Sequence, residues 1–306
     1  MKGLRIVKRG ECLEEVSKNN TNLRLLARAR EVEVILQSIR ANNLFTITPW
    51  DGSEFVYVLE GQIECTTTGL EDVLGPGDTI QASQLIQPVY FKTLSDVNFL
   101  YVASPPVFSY ISETITKWLD LASEIEQNDM YTREHCRRIE KLALKIGERL
   151  RLSGGQLERL INAAYLHDLG KTVVPIEVLT KPGPLTEDEW EHVKKHPSAG
   201  RRMLQNTFLS EVGDIIEQHH EWEDGRGYPL GLSGSEIYIE ARIIAVADAF
   251  DAMTSDRPYR KALSKEEAIA AIVAQRGKQF SPEVVDAFLE VINSMEWPPT
   301  LTNPRP

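Results

Sequence analysis

Cysteine is scarce in this chain. Only Cys12, Cys65 and Cys136 occur, an odd number with no CxxC spacing, which argues against a disulfide framework or a cysteine zinc site and points to reduced thiols in a cytoplasmic protein. Long apolar runs are missing too. None approaches the roughly 18 residues of a membrane span, and the N-terminal MKGLRIVKRGECLEE has no apolar core before its charges resume, so no membrane contact or export signal is expected. Positive charge is in deficit, with 34 Lys and Arg against 45 Asp and Glu. The resulting net charge of −11 has the wrong sign for a nucleic-acid polymer as partner, and a small anionic ligand requires cations gathered locally. Histidine, finally, is absent before His135 and after His220, which confines imidazole chemistry to the second half.

What is present is ordinary globular composition, 42% hydrophobic and 26% charged over 306 residues, a length that suits two domains of roughly 150 residues each. Residues 44–103 carry short β-rich runs (LFTIT, FVYVL, QIECTTT, PVYFK, NFLYV) separated by PWDG, LEG and LGPGD, the pattern of a small barrel or sandwich. Residues 23–40 read both ways: Leu25, Ala29, Val32, Leu36 and Ile39 follow helical spacing, while REVEVIL alternates like a strand. After SPPVF at 104–108, Phe108, Ile111, Ile115, Trp118, Ala122 and Ile125 fall on one helical stripe, which predicts a linker helix packed between subunits or between domains. From about residue 130 the pattern is helical. Ser153 precedes one helix, Thr186 and Glu189 have capping-box spacing ahead of a helix carrying Trp190, Val193 and His196, Gly170 suits a helix stop, and Ser281-Pro282 suits a start. The expected architecture is therefore two-domain α+β: a small β-barrel over 1–105, a linker helix over 106–129, an all-α bundle over 130–298 and a tail over 299–306.

Five stretches of the helical half hold the chemistry: EHC at 134–136, HDLGK at 167–171, KHPSAG at 195–200, HHEWEDGRGYP at 219–229 and ADAFDAMTSDRPYR at 247–260. They supply His135, His167, Asp168, His196, His219, His220 and Asp248. Five imidazoles and two carboxylates exceed the needs of one tetrahedral site and suit two adjacent transition metals bridged by a carboxylate and water, a pair that polarises a phosphodiester and makes hydroxide available near neutral pH. Lys171 is placed to hold a phosphate oxygen, and Arg257, Arg260 and Lys261 form the local basic patch; Arg257 and Arg260 read either as phosphate binders or as ion-pair partners of Asp251 and Asp256. Tyr228, in the tight GRGYP loop, reads equally as a ligand contact or as packing, and His192, four residues before His196, reads as a surface residue, with Cys136 packed beside a ligand.

HDLGK, KPGPLT, HHEWEDGRGYP and ADAFDAMTSDRPYR together resemble the HD-GYP branch of the HD-domain phosphohydrolases, over about Tyr131 to Phe288. The resemblance implies a helical bundle and a bacterial signal-transduction enzyme that hydrolyses cyclic di-GMP to pGpG by attack of a metal-bridging hydroxide. It assigns His135, His167, Asp168 and Asp248 to one metal and His196, His219 and His220 to the second, with Asp168 between them and Asp168 and Lys171 as the catalytic pair. Iron or manganese is the implied metal, and Lys171, Tyr228, Arg257 and Arg260 the implied substrate contacts. The family's three-metal members have a glutamate where this chain has Tyr131, which implies two metals per chain and pGpG as the main product. The alternatives are a non-catalytic cyclic di-GMP receptor and a hydrolase of another cyclic dinucleotide or nucleotide. In the first half, Glu54, six residues and Gly61, followed by PGD at 76–78, resemble the cupin pattern, but Thr48-Pro49-Trp50 stand where metal-binding cupins have their histidines. A sensor or oligomerisation module of unidentified ligand is expected there, with a homodimer through the linker helix or the barrel.

Overall fold

A computed structural model describes residues 5–18, 20–67, 72–114, 116, 133–181, 183–207, 209–255 and 261–298, and the chain divides into two units, 1–119 and 120–306. In the first unit the residues that read both ways are strands, β2 (Thr21–Arg28) and β3 (Glu33–Ile39), because the alternation that buries Leu23, Leu25, Ile35 and Ile39 dominates the helical spacing. The other strands are β1 (Glu14–Lys18), β4 (Leu44–Ile47), β5 (Ser53–Glu60), β6 (Ile63–Cys65), β7 (Val73–Leu74), β8 (Thr79–Ser83), β9 (Val89–Thr93) and β10 (Val97–Ser104).

They form a six-stranded antiparallel sheet in the order β1-β2-β3-β10-β5-β8 and a four-stranded one in the order β4-β9-β6-β7. Leu25, Ile35, Val58, Ile63, Phe91 and Phe99 fill one core. Among the described residues no hydrogen-bonded strand pair joins the two sheets, so the expected barrel is corrected to an open two-sheet sandwich. Its edges cannot close readily, since β7 has two residues and β4 four. The cupin-like spacing has a local cause. Gly61 ends β5 at φ +84°, where a Cβ would meet the Asp96 carbonyl oxygen at 2.2 Å, and Gly77 of the PGD turn sits at φ +95°.

Residues 108–114 are helical, and Phe108 is buried in the sandwich core. The start of this helix is tied to β3: the buried Glu33 carboxylate accepts from Val107 N (2.9 Å) and Phe108 N (2.7 Å). Ile111 packs on the same core, whereas Ile115, Trp118, Ala122 and Ile125 of the predicted stripe lie outside the described residues.

The second unit is a helical bundle of α1 (Arg133–Arg149), α2 (Gly154–Leu166), α3 (Ile176–Leu179), α4 (Glu187–Val193), α5 (His196–Leu204), α6 (Ser210–Glu217), α7 (Ile239–Thr254), α8 (Lys265–Ala274) and α9 (Pro282–Ser294). Ser153 and Thr186 form reciprocal capping boxes with Gln156 and Glu189. Two expectations change. The helix that starts at Thr186 stops at Val193, and His196 opens the next one. Gly170 is not a left-handed stop but part of a 3-10 turn, Leu169–Val173, packed on the start of α5. Ile139, Leu142 and Ile146 of α1, Leu160 of α2, Phe250 of α7 and Phe288 of α9 are fully buried and fix the frame that carries the site. No described helix is long and apolar enough to cross a membrane.

Candidate metal centre

A helix ends with carbonyl groups that have no partner within it. Three of the sequence-predicted histidines stand at such ends and use them: the Nδ1–H of His167 donates to Ala164 O (2.9 Å) after α2, that of His196 to Val193 O (2.7 Å) after α4, and that of His219 to Ile216 O (2.5 Å) after α6. Each bond keeps a proton on Nδ1 and turns Nε2 toward a common centre. His135, on α1, is held the same way by a side chain, its Nδ1 bonding Asp251 Oδ2 at 2.6 Å.

The Nε2 atoms and two carboxylates converge in two groups. His196, His219 and His220 form one, and His135, His167 and Asp168 the other, with ligand atoms within 4.8 Å inside each. Asp248, on α7, adds to the second, its Oδ1 lying 3.6 Å from His135 Nε2 and 3.9 Å from His167 Nε2. Asp168 lies between the groups. Its Oδ2 is 3.3 Å from His167 Nε2 and its Oδ1 is 3.4 Å from His196 Nε2.

This donor set fits divalent cations. His196 Nε2 and His219 Nε2 are 3.3 Å apart, yet both rings have committed their protons to carbonyls, so two lone pairs face each other where no hydrogen bond can form between them. Both rings are kept neutral: burial, aided for His196 by Lys171, pushes His196 down to about 4, and burial with the neighbouring imidazoles holds His219 well below the usual range. His167 Nε2 is buried without a hydrogen-bond partner among the described residues. Burial alone would lower the His167 pKa, but Asp168 and Asp248 outweigh it and raise it to about 9, so a cation taking Nε2 displaces a proton. Asp168, against its burial, is held well below the usual carboxylate range by Lys171 and His167.

Lys171 sits beside the centre with Nζ 2.7 Å from Asp168 Oδ2. Tyr228 stacks on His220, centroids 4.9 Å apart at 29°, and burial and Asp168 raise its phenol pKa. Gly227 permits this loop, since a Cβ there would meet Trp222 N at 2.3 Å. His192 is exposed and donates to Asp188 O, apart from both groups, and Cys136 is buried next to His135. Arg257 and Arg260 lie outside the described residues.

Sequence reasoning missed two supports. Asp251 appears in it only as an ion-pair partner of the basic loop, but it is fully buried, accepting from His135 and, at 2.5 and 2.8 Å, from Nε and Nη2 of Arg138. Burial would raise its pKa; Arg138 and His135 overcome that and keep it ionised. The available signal was spacing: Arg138 follows His135, and Asp251 follows Asp248, by three residues, so both pairs share a helix face. The second is Glu221, buried, which accepts from the backbone N–H of Leu230, Gly231 and Leu232 and ties down the loop after Tyr228. Asp251→Asn is expected to weaken metal binding by roughly 10- to 100-fold, with the thermal midpoint lowered because Arg138 keeps a partly buried charge without its partner. Metal titration of the apo-protein checks this, and unchanged affinity refutes it.

The family model described as "HD domain" matches residues 121–284, more than half of the chain. The chain belongs to this family, in its HD-GYP branch. It is 33% identical over 279 residues to a cyclic di-GMP phosphodiesterase of Thermotoga maritima, covering 84% of this chain and 74% of that protein. It is 42% identical over 214 residues to the cyclic di-GMP phosphodiesterase response regulator RpfG of Xanthomonas campestris, covering 69% of this chain; the chain spans only 56% of that relative's length. A 3′3′-cGAMP-specific phosphodiesterase of Vibrio cholerae is 33% identical over 174 residues, 56% of this chain and 33% of that protein.

Proposed function

We propose that the chain is a metal-dependent phosphodiesterase that opens cyclic di-GMP to pGpG. The observation that carries the reading is Asp168, a buried carboxylate whose two oxygens face two separate imidazole groups, as hydrolysis at a paired metal centre requires. His135, His167, Asp168 and Asp248 would hold one metal, and His196, His219 and His220 the other. Divalent iron or manganese there supplies Lewis-acid polarisation of the phosphodiester and hydroxide near neutral pH. The chain's own groups do the rest. Carbonyl-braced histidines keep the centre rigid, Lys171 offers a cation that offsets charge on a phosphate oxygen, and Arg257 and Arg260 are assigned to the second phosphate. A receptor reading is not favoured, because the sequence retains all seven proposed ligand residues and Lys171. The guanine preference follows two of the three relatives above, while the third names the mixed dinucleotide, so both are assayed.

The test is anaerobic purification, metal quantification, and chromatography of cyclic di-GMP and 3′3′-cGAMP reactions. Two metals per chain and conversion of cyclic di-GMP to pGpG, with slow or absent GMP formation, are expected. Binding without cleavage in metal-replete protein supports the receptor reading instead, and a third fully occupied metal refutes the count based on Tyr131, which lies outside the described residues.

A further inference from the structure

Next to the metal centre stands an aromatic side chain that the proposed chemistry leaves unused. Trp190, on α4, is 43% exposed. Its ring meets Tyr228 at 6.4 Å between centroids with the planes 74° apart, and Tyr228 in turn stacks on His220. Three rings therefore run outward without a break from a proposed metal ligand to the surface. An edge-to-face contact with Tyr228 covers at most one face of the indole. The capping box at Thr186 and Glu189, with Lys181 bonded to Glu189 at 2.6 Å, fixes the helix that presents it.

We infer that Trp190 is the stacking platform for one purine base of the substrate while the phosphodiester lies at the metal centre. This rests on the phosphodiesterase reading and deepens it by assigning a base contact. The chemistry suits an acidic protein: a neutral base is recognised by its π-face and apolar area, with no need of charge, and a purine offers more overlap than a pyrimidine. Tyr228, half-buried and stacked on His220, forms the inner wall, and Trp190 the outer one.

The test compares manganese-loaded wild type with Trp190→Ala and Trp190→Phe. Base stacking contributes equally to the bound substrate and the transition state, so Trp190→Ala should raise KM for cyclic di-GMP by about 5- to 100-fold, leaving kcat within about twofold and metal content unchanged. Trp190→Phe should recover most of the loss. GMP, which has no diester to cleave, should quench a component of tryptophan emission in the wild type that Trp190→Phe lacks. Wild-type KM in Trp190→Ala, or no such quenching component, overturns the assignment. So does a joint fall of kcat and metal content without rescue by Phe, which would make Trp190 a prop for Tyr228 and His220. If the wild type leaves cyclic di-GMP uncut while GMP still quenches the Trp190 component, the substrate reading fails and the stacking platform stands.

Discussion

Asp168→Asn is expected to lower turnover of cyclic di-GMP by at least roughly 10³-fold while the far-UV circular dichroism stays that of the wild type. An amide is nearly isosteric with the carboxylate, so packing at this buried position is preserved. Its hydrogen-bonding character is not. Lys171 Nζ, 2.7 Å from the present Oδ2, fixes the amide carbonyl on that side and turns the NH2 toward His196 Nε2, 3.4 Å from the present Oδ1. The new donor would then cap the lone pair that His196 offers. Metal should therefore be lost first from the group of His196, His219 and His220. Elemental analysis of the variant checks this, and near-normal activity with two metals retained would refute the shared role of Asp168.

The motifs announced the donor side chains but not what holds them. Histidine, aspartate and lysine identities survive as sequence signals because their chemistry depends on the side chain. The braces of His167, His196 and His219 are backbone carbonyls, contributed by Ala164, Val193 and Ile216, and any residue type has one. Only the place where each helix stops reveals them. The stop at Val193 was itself hidden, because the capping box marks the start at Thr186 and the apolar spacing continues to His196. In the first half, the β-rich runs marked β4, β5, β6, β9 and β10 but not β1, β7 or β8, and the ambiguity over residues 23–40 arose because apolar residues at both spacings coexist until burial selects one. Whether the sheets close depends on edge pairing between residues far apart in sequence, on which local alternation carries no information.

Gly170→Ala is expected to be among the most damaging single substitutions in the helical unit, although it adds one methyl group. Glycine is required here for space rather than for backbone angle. A Cβ built on Gly170 would lie 1.9 Å from His196 O and 2.5 Å from Gly200 N, both backbone atoms of α5 that no rotamer change can move aside. The opposing position is also glycine, Gly200, so the turn after Asp168 and the start of α5 touch backbone to backbone. That contact sets the separation of Asp168 from His196, residues of the two metal groups. Relief of the overlap requires the whole of α5 to retreat. The expected cost is about 3 kcal/mol or more, which for a unit of this size lowers the thermal midpoint by roughly 6–12 °C. Because His196 Nε2 moves with α5, metal affinity of the His196, His219 and His220 group should fall together with stability. Gly75→Ala is the control, since the nearest atom to its Cβ is Asp78 Oδ2 at 4.0 Å, and it should change neither quantity. A Gly170→Ala protein with wild-type midpoint and metal content would show that α5 is free to shift without disturbing the centre.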